Sequence, residues 1–423
     1  MQIVMINAHW NNRGDEAAIR AIVDEILLHH PKVKLTIIFK DKKDISQFPY
    51  QGVIDYFVSG FLIEEADMKQ VLACEDDQIP EHLLPVMHAI RKADGVIYAP
   101  GGAVISDRFW WKKQLEYLFP VAYAQKLHIP VVFAAPSIGP FSVQRDYRTE
   151  ILSQVDRLCV RENISYDALQ SQGIAENTLL TVDSAFLNEV DMQYYDEICS
   201  KDANLVSFMK KYDRVVGITI TDFLWHVEYQ KNEKLRANVY DTFRNMIGWL
   251  GGQGIGVLLI PQLFGNQNDK DYLFQFDREN TFVLDDHYDA YFQEYISHRL
   301  YAVIGVRYHS NIFAAKAGTP FIPIIYEEKM RGFMHGMSGE QLSIELEELS
   351  LPQLIEKFLY LEEHYDKITA CLDKHKITWK EKAEMTYQAI EDTIFSKTFS
   401  NYISGEKKCY KEYVRYVREQ NRP

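Results

Sequence analysis

Arg307, Tyr308, His309 and Ser310 stand in one run, and those residue types at that spacing can hold an anion and move a proton. A guanidinium presents a planar fork of donors to a carboxylate or phosphate. An imidazole beside it exchanges a proton near neutral pH. The run is preceded by Tyr301–Val306, an apolar stretch long enough for one buried strand. It is followed by a helical pattern through Ile312, Phe313 and Ala315, which stops at Gly318-Thr319-Pro320 before a second apolar stretch, Phe321–Tyr326. Strand, helix and strand in so few residues make a βαβ unit. In such a unit the loop after the first strand lies at the carboxyl edge of the sheet, where α/β proteins bind ligands. The free amides of the following helix favour negative charge there. The structural alternative is an ion-paired Arg307 and a His309 satisfied within the core.

Other loops fall at equivalent positions. Asn12-Arg13-Gly14-Asp15-Glu16 follows a first strand and opens a helix. There Gly14 would allow a tight turn, and Asp15 or Glu16 could cap the helix or bind sugar hydroxyls. Gly101-Gly102 follows the stretch Gly95–Tyr98 and lets backbone approach a ligand, with Asp107 a few residues on as a hydroxyl ligand or helix cap. Ser137-Ile138-Gly139-Pro140 follows Val131–Ala134, and Arg161 ends Leu158–Val160. An arginine closing a buried strand needs an anion or a carboxylate, so Arg161 meets either a ligand or a neighbouring acid such as Glu162. Lys329, after Tyr326-Glu327-Glu328, could neutralise a phosphate. Neither a G-x-x-x-x-G-K phosphate loop nor a G-x-G-x-x-G dinucleotide fingerprint is present.

The elements that must position these residues alternate along a chain of 423 residues, too long for one ordinary core. Strands are expected at Ile3–Ile6, Val33–Phe39, Gly95–Tyr98, Val131–Ala134 and Leu158–Val160. Helices are expected at Glu16–Leu28, His82–Lys92, Phe109–Lys126 and Ile164–Gln170. After a polar, tyrosine-containing passage the alternation restarts with strands at Val215–Ile220, Val257–Ile260 and Phe282–Leu284. Beyond Leu351 only helical patterns remain, at Leu351–Leu361 and Trp379–Ile394. The expected fold class is α/β, two Rossmann-like doubly wound domains with a helical C-terminal extension. The expected divisions are 1–190, an interdomain passage at 191–212, 213–350, and a helical extension at 351–423.

The formal net charge of −14 argues against a nucleic-acid partner, which would need a basic surface. The five cysteines, Cys74, Cys159, Cys199, Cys371 and Cys409, are widely spaced with no Cys-x-x-Cys pair. That spacing suits reduced thiols rather than disulfides or a zinc site. With no apolar window long enough to span a membrane, a cytoplasmic location is expected.

Taken in order, these stretches resemble the polysaccharide pyruvyl transferase family. The resemblance rests on N-x-G-D-E at Asn12–Glu16, G-G-x(4)-D at Gly101–Asp107, S-I-G-P at Ser137–Pro140 and V-R-E-x-x-S at Val160–Ser165. It continues in D-S-A-F at Asp183–Phe186, G-x-R-Y-H-S at Gly305–Ser310 and Y-x-x-K at Tyr326–Lys329. Ala103, where a third glycine is common, and Ser184, where proline is common, depart from the pattern. The resemblance covers roughly residues 1 to 335. It implies a GT-B-like fold and transfer of pyruvate from phosphoenolpyruvate onto a sugar of a glycan or lipid-linked saccharide, as a cyclic ketal with release of phosphate. It implies a donor set of Arg161, Arg307, Tyr308 and His309, to which Ser310 and Lys329 are added by position. His309 would be the proton donor, with Arg307 and Arg161 stabilising charge. Asn12, Asp15, Gly101, Gly102 and Asp107 are expected on the acceptor side. No cofactor and no metal are expected. The alternative in the same fold is a GT-B-type glycosyltransferase using a nucleotide sugar.

The tail lies outside the resemblance. Lys408, Lys411, Arg415, Arg418 and Arg422 recur three or four apart, with Tyr410, Tyr413, Val414 and Val417 on another face. On a helix that pattern suits an anionic membrane surface and predicts a peripheral contact at the inner face of the membrane. The alternative is an apolar face docked on the protein, with the basic stripe in solvent.

Overall fold

The computed structural model describes residues 1–40, 48–58, 81–102, 104–142, 146–265 and 268–396. The basic tail, Ala103, Cys74 and Cys409 therefore lie outside the described residues. The chain divides into two compact units. The first holds Met1–Trp10, Ala18–Asn188 and the chain from Glu381 onward, and the second holds Asn11–Ala17 and Glu189–Lys380.

The first unit carries a seven-stranded sheet of β1 (Gln2–Ala8), β2 (Lys34–Phe39), β3 (Asp55–Val58), β4 (Gly95–Tyr98), β5 (Val131–Ala134), β6 (Arg157–Val160) and β7 (Thr178–Leu180). Its spatial order is β3-β2-β1-β4-β5-β6-β7, and every pairing is parallel. Parallel strands need crossovers, so both faces are covered and the strands read as continuous apolar runs. One face shows the period of two directly. Val4 and Ile6, Val96 and Tyr98, Val131 and Phe133, and Leu158 and Val160 all enter one buried cluster. The helices of this unit are the body of α1 (Arg13–His29), α2 (Leu84–Arg91), α3 (Trp111–Lys126), α4 (Tyr147–Ser153) and α5 (Asn163–Ser171). Val86, Met87 and Ile90 of α2 and Leu115 and Leu118 of α3 complete that cluster.

The second unit carries β8 (Val215–Thr219), β9 (Gly256–Leu259), β10 (Thr281–Val283), β11 (Ala302–Gly305), β12 (Phe321–Ile325) and the two-residue β13 (Ile344–Glu345). The six strands are all parallel and run β10-β9-β8-β11-β12-β13. In both sheets the order reverses beside the first strand, between β1 and β4 and between β8 and β11. The crevice outside the carboxyl ends at such a reversal is the usual ligand site of an open α/β sheet. The helices are α6 (Met192–Lys201), α7 (Ala203–Lys211), α8 (Glu233–Gly252), α9 (Lys270–Leu273), α10 (Ala290–Ser297), α11 (Tyr308–Ala317), α12 (Glu328–Gly336), α13 (Leu351–Glu363) and most of α14 (Tyr365–Ile390).

Two expectations about the outline change. The passage expected at 191–212 is two helices, α6 and α7, capped by Asp191 and Asp202, whose carboxylates accept amide bonds from Tyr194 and from Asn204 and Leu205. The extension expected as a separate piece from 351 is divided between the units. Leu354, Phe358 and Leu361 of α13 are buried in the second, while Ile394 and Phe395 of the turn after α14 are buried in the first. A Cβ on Gly95 would stand 2.5 Å from Ile394 Cγ2, so that turn sits tightly on the start of β4. The thiol of Cys159, on β6 of the same sheet, is pushed up to about 12 by burial. Cys159, Cys199 and Cys371 are all free. Among the described residues no helix is long and apolar enough to cross a membrane.

Candidate active site

Arg307 occupies the N-cap of α11, at the carboxyl end of β11 and beside the reversal of the second sheet. It is buried, and its guanidinium is held on one side. Nε donates to Asp269 Oδ2 at 3.2 Å and Nη2 donates to Asp269 Oδ1 at 2.5 Å. Nη2 also donates to Thr221 Oγ1 at 3.1 Å, and the guanidinium interacts with the buried Tyr326 hydroxyl as well. Asp269 is itself fixed by the amides of Gln262 (3.1 Å) and Leu263 (3.0 Å). Burial alone would lower the arginine pKa, but the Asp269 carboxylate overrules it and holds the group charged.

The backbone before and after Arg307 is equally constrained. Its amide donates to Thr219 Oγ1 (3.2 Å), and the Ser310 hydroxyl donates to the Arg307 carbonyl (2.7 Å) while lying 2.8 Å from Thr219 Oγ1. The Ser310 side chain is thus spent on shaping the turn, and only its amide is left for a ligand. The N-cap side chain, that of Arg307, makes no cap hydrogen bond to α11, and the positive end of the helix dipole at that point favours an anion. Gly305 is required by the same turn, since a Cβ there would lie 2.1 Å from Asn311 Oδ1.

His309 follows in the first turn of α11, 4.9 Å ring to ring from Tyr308. Its ring rests on the backbone of Gly14, where an added Cβ would fall 1.8 Å from Nδ1. The expected tight turn at Gly14 is corrected accordingly. Gly14 lies inside α1 and is not among the glycines with positive φ, and what excludes a side chain is the imidazole. The cap of α1 is Asn12, whose Oδ1 accepts the Gly14 amide at 2.9 Å, rather than Asp15 or Glu16. Glu16 instead pairs with buried Arg13, whose guanidinium lies 3.8 Å from the Phe264 ring and donates to the Asp286 carbonyl at 2.6 Å. Asp15 is half-buried and makes no side-chain hydrogen bond or ion pair among the described residues. Gly14→Ala is therefore expected to displace His309 and lower both turnover and melting temperature, because the added Cβ would also fall 2.6 Å from His309 Cβ, which can move only with the backbone of α11. Steady-state kinetics beside a thermal melt checks this, and wild-type turnover would contradict it.

Lys329, in the first turn of α12, is paired with Glu327 and lies 5.6 Å from the Tyr308 ring centroid. Burial would raise the Glu327 pKa. Lys329, with His226 Nε2 at 3.5 Å, instead holds it well below the usual carboxylate range. The loop after β8 adds residues that sequence reasoning passed over. Trp225 packs 4.9 Å from the Arg307 guanidinium carbon, and its Nε1 donates to Thr221 Oγ1 at 2.9 Å. Thr221, Trp225 and the Asp269 clasp carry no local motif, and Glu327 stands at an unspecified position of the Y-x-x-K stretch. The aromatic density of Phe223, Trp225, His226 and Tyr229 is the one signal that could have marked the loop.

In the first unit the expected residues have mostly structural occupations. Arg161 Nη1 donates to Asp183 Oδ2 at 2.7 Å and its Nε to Ser137 Oγ at 2.8 Å, all buried. The acid that meets Arg161 is thus Asp183, from the loop after β7. Glu162 turns to cap α5 by accepting the Ser165 amide (2.8 Å). Asp107 pairs with Arg148 at 2.8 Å and accepts the Ser142 amide. Burial pushes the Asp107 pKa up, but these partners bring it below normal. Gly101 accepts the Ser137 amide (3.1 Å), and a Cβ on it would meet nothing within 4 Å.

The sequence pattern of the family described as polysaccharide pyruvyl transferase matches residues 12–328. The chain belongs to the polysaccharide pyruvyl transferase family. Its activity is that of a transferase, of the pyruvyl-transfer type on a polysaccharide. The amylovoran biosynthesis protein AmsJ of Erwinia amylovora is 23% identical over 403 residues, covering 87% of this chain and 94% of that protein. Solved structures share the fold at lower identity. A putative UDP-N-acetylglucosamine 2-epimerase from Listeria monocytogenes superposes with a TM-score of 0.57 at 13% identity, over 95% of this chain and 99% of its own. The UDP complex of MnaA from S. aureus gives 0.58 at 10% identity, over 95% and 99%. This pyruvyl transferase therefore has the GT-B-like architecture, two Rossmann-like sheets flanked by helices, with C-terminal helices added.

Proposed function

We propose that the donor is phosphoenolpyruvate, that it binds in the second unit at the N-terminus of α11, and that the product is a cyclic pyruvate ketal on a sugar of a glycan or lipid-linked saccharide. The observation that carries the reading is Arg307. A buried guanidinium, clasped and kept charged by Asp269, stands at the N-cap of α11 beside the positive end of the helix dipole. A donor with both a carboxylate and a phosphate suits that cluster of a guanidinium, first-turn amides of Tyr308, His309 and Ser310, and the Lys329 ammonium. Lys329 would exchange Glu327 for phosphate, a change between two anionic partners rather than a loss of one.

In this mechanism His309, as imidazolium, protonates the methylene carbon of the enol, which becomes a methyl group and leaves C2 electrophilic. One sugar hydroxyl attacks C2, and its proton passes to a base, for which half-buried Asp15, next to the Gly14 on which His309 rests, is the candidate. The C2–O bond to phosphate then breaks and phosphate leaves with its electron pair, steadied by Arg307 and Lys329. The second hydroxyl closes on C2 and loses its proton, so one phosphate is released per ketal. Asn12 acts here by capping the helix that presents Asp15. Gly101, Gly102 and Asp107 remain acceptor-side proposals on the family resemblance, and so does Arg161 as a donor ligand. The geometry of Arg161 and Asp107 supports structural roles.

Because the positive charge facing the donor comes from side chains and amides, turnover is expected to persist in excess EDTA. Loss of phosphate release with EDTA and recovery with a divalent ion would overturn that. The donor itself is tested by thermal shift. Phosphoenolpyruvate should raise the melting temperature of the wild-type chain and fail to do so in Arg307→Ala. Stabilisation by UDP alone would favour nucleotide-sugar transfer in the same fold.

A further inference from the structure

We infer that Trp225 is the stacking platform for the acceptor's pyranose ring, an inference that rests on the donor site proposed around Arg307. Trp225 stands in the loop that leaves the carboxyl end of β8, next to the reversal of the second sheet, and is 41% exposed. Its orientation is set by contacts on several sides. Its Nε1 donates to Thr221 Oγ1, the same oxygen that accepts from Arg307 Nη2 (2.9 and 3.1 Å). Tyr326 and His226 meet the indole edge-to-face at 6.0 and 5.3 Å between centroids, and the Arg307 guanidinium packs on it at 4.9 Å.

With its only polar atom satisfied internally, the indole has nothing but ring surface to offer a ligand. An orientation set in that way means little ordering entropy is lost when something stacks on it. Two features select a sugar over a lipid surface. Asp222 and Glu228 flank the exposed Leu224, Trp225 and Val227, and carboxylates accept from sugar hydroxyls but repel an anionic bilayer. The ring also adjoins the arginine proposed to hold the donor, and a ketal forms only if two hydroxyls of one sugar reach the donor's C2.

The test measures sugar binding apart from turnover. Wild type, Trp225→Ala, Trp225→Leu and Trp225→Tyr are titrated with methyl glycosides of galactose, glucose, mannose and N-acetylmannosamine by saturation-transfer NMR. Phosphoenolpyruvate thermal shifts are run on each chain. The expected result is binding of at least one glycoside to wild type, about tenfold weaker in the Ala and Leu chains and near wild type in the Tyr chain. The phosphoenolpyruvate shift should fall less than glycoside binding does, because Asp269 and Thr221 still hold Arg307 when the indole is replaced. The leucine chain, which keeps apolar bulk without a π face, decides the matter if the alanine chain does not fold. Equal binding by Ala or Leu, no glycoside bound by wild type, or Trp225-dependent binding to phosphatidylcholine vesicles in place of sugar would each overturn the inference. Absence of a phosphoenolpyruvate shift in wild type would overturn the donor site instead, and the sugar titration would still report on Trp225.

Discussion

His309→Ala should reduce phosphate release from phosphoenolpyruvate by about 10²–10⁴-fold while leaving donor stabilisation largely intact. That range is what a positioned general acid typically contributes. The separation of effects follows from the geometry. In the proposed donor site the charge would come from Arg307, Lys329 and helix amides, whereas the imidazole rests on Gly14 in the same unit. Michaelis kinetics should therefore show a fall in kcat with little change in the donor KM. A His309→Ala chain with wild-type kcat would remove His309 from proton transfer and leave it as a packing residue on α1.

Arg161→Ala is expected to be costly for a different reason. The side chains of Arg161 and Asp183 are each 1% exposed and joined at 2.7 Å. Deleting one partner leaves a buried uncompensated charge, typically a loss of about 3–5 kcal/mol. Replacing both, as Arg161→Met with Asp183→Leu, should recover much of the loss, because an apolar pair of similar volume requires no desolvation of charge. Urea unfolding of the three chains checks this. An Arg161→Ala chain as stable as wild type that has lost its phosphoenolpyruvate shift would instead make Arg161 a donor ligand, as the resemblance implies.

What could be read in the sequence, and what could not, divides by the range of the interaction. Gly95–Tyr98 and Val131–Ala134 occur as expected because a strand buried on both faces announces itself as an unbroken apolar run. β7 and β13, of three and two residues, are too short to show a pattern. α6 and α7 were obscured by their polar, tyrosine-containing composition, although Asp191 and Asp202 stand as ordinary N-cap signals ahead of them. The run Arg307–Ser310 was legible because strand, turn and helix are contiguous there. Its clasp was not, since Asp269 is 38 residues away and Thr221 is 86. Gly14 shows the limit most clearly. Its motif could be seen, but its reason is an imidazole on another element, and local turn chemistry supplied the wrong one.

The central claim is tested most directly by incubating the full chain with phosphoenolpyruvate and a panel of glycan fragments, following phosphate release and the mass of the sugar product. Phosphate release should require both substrates and stand in a one-to-one ratio with a product heavier by pyruvate less one water. A product heavier by a hexose, formed only when a nucleotide sugar is supplied and with no phosphate released from phosphoenolpyruvate, would contradict it.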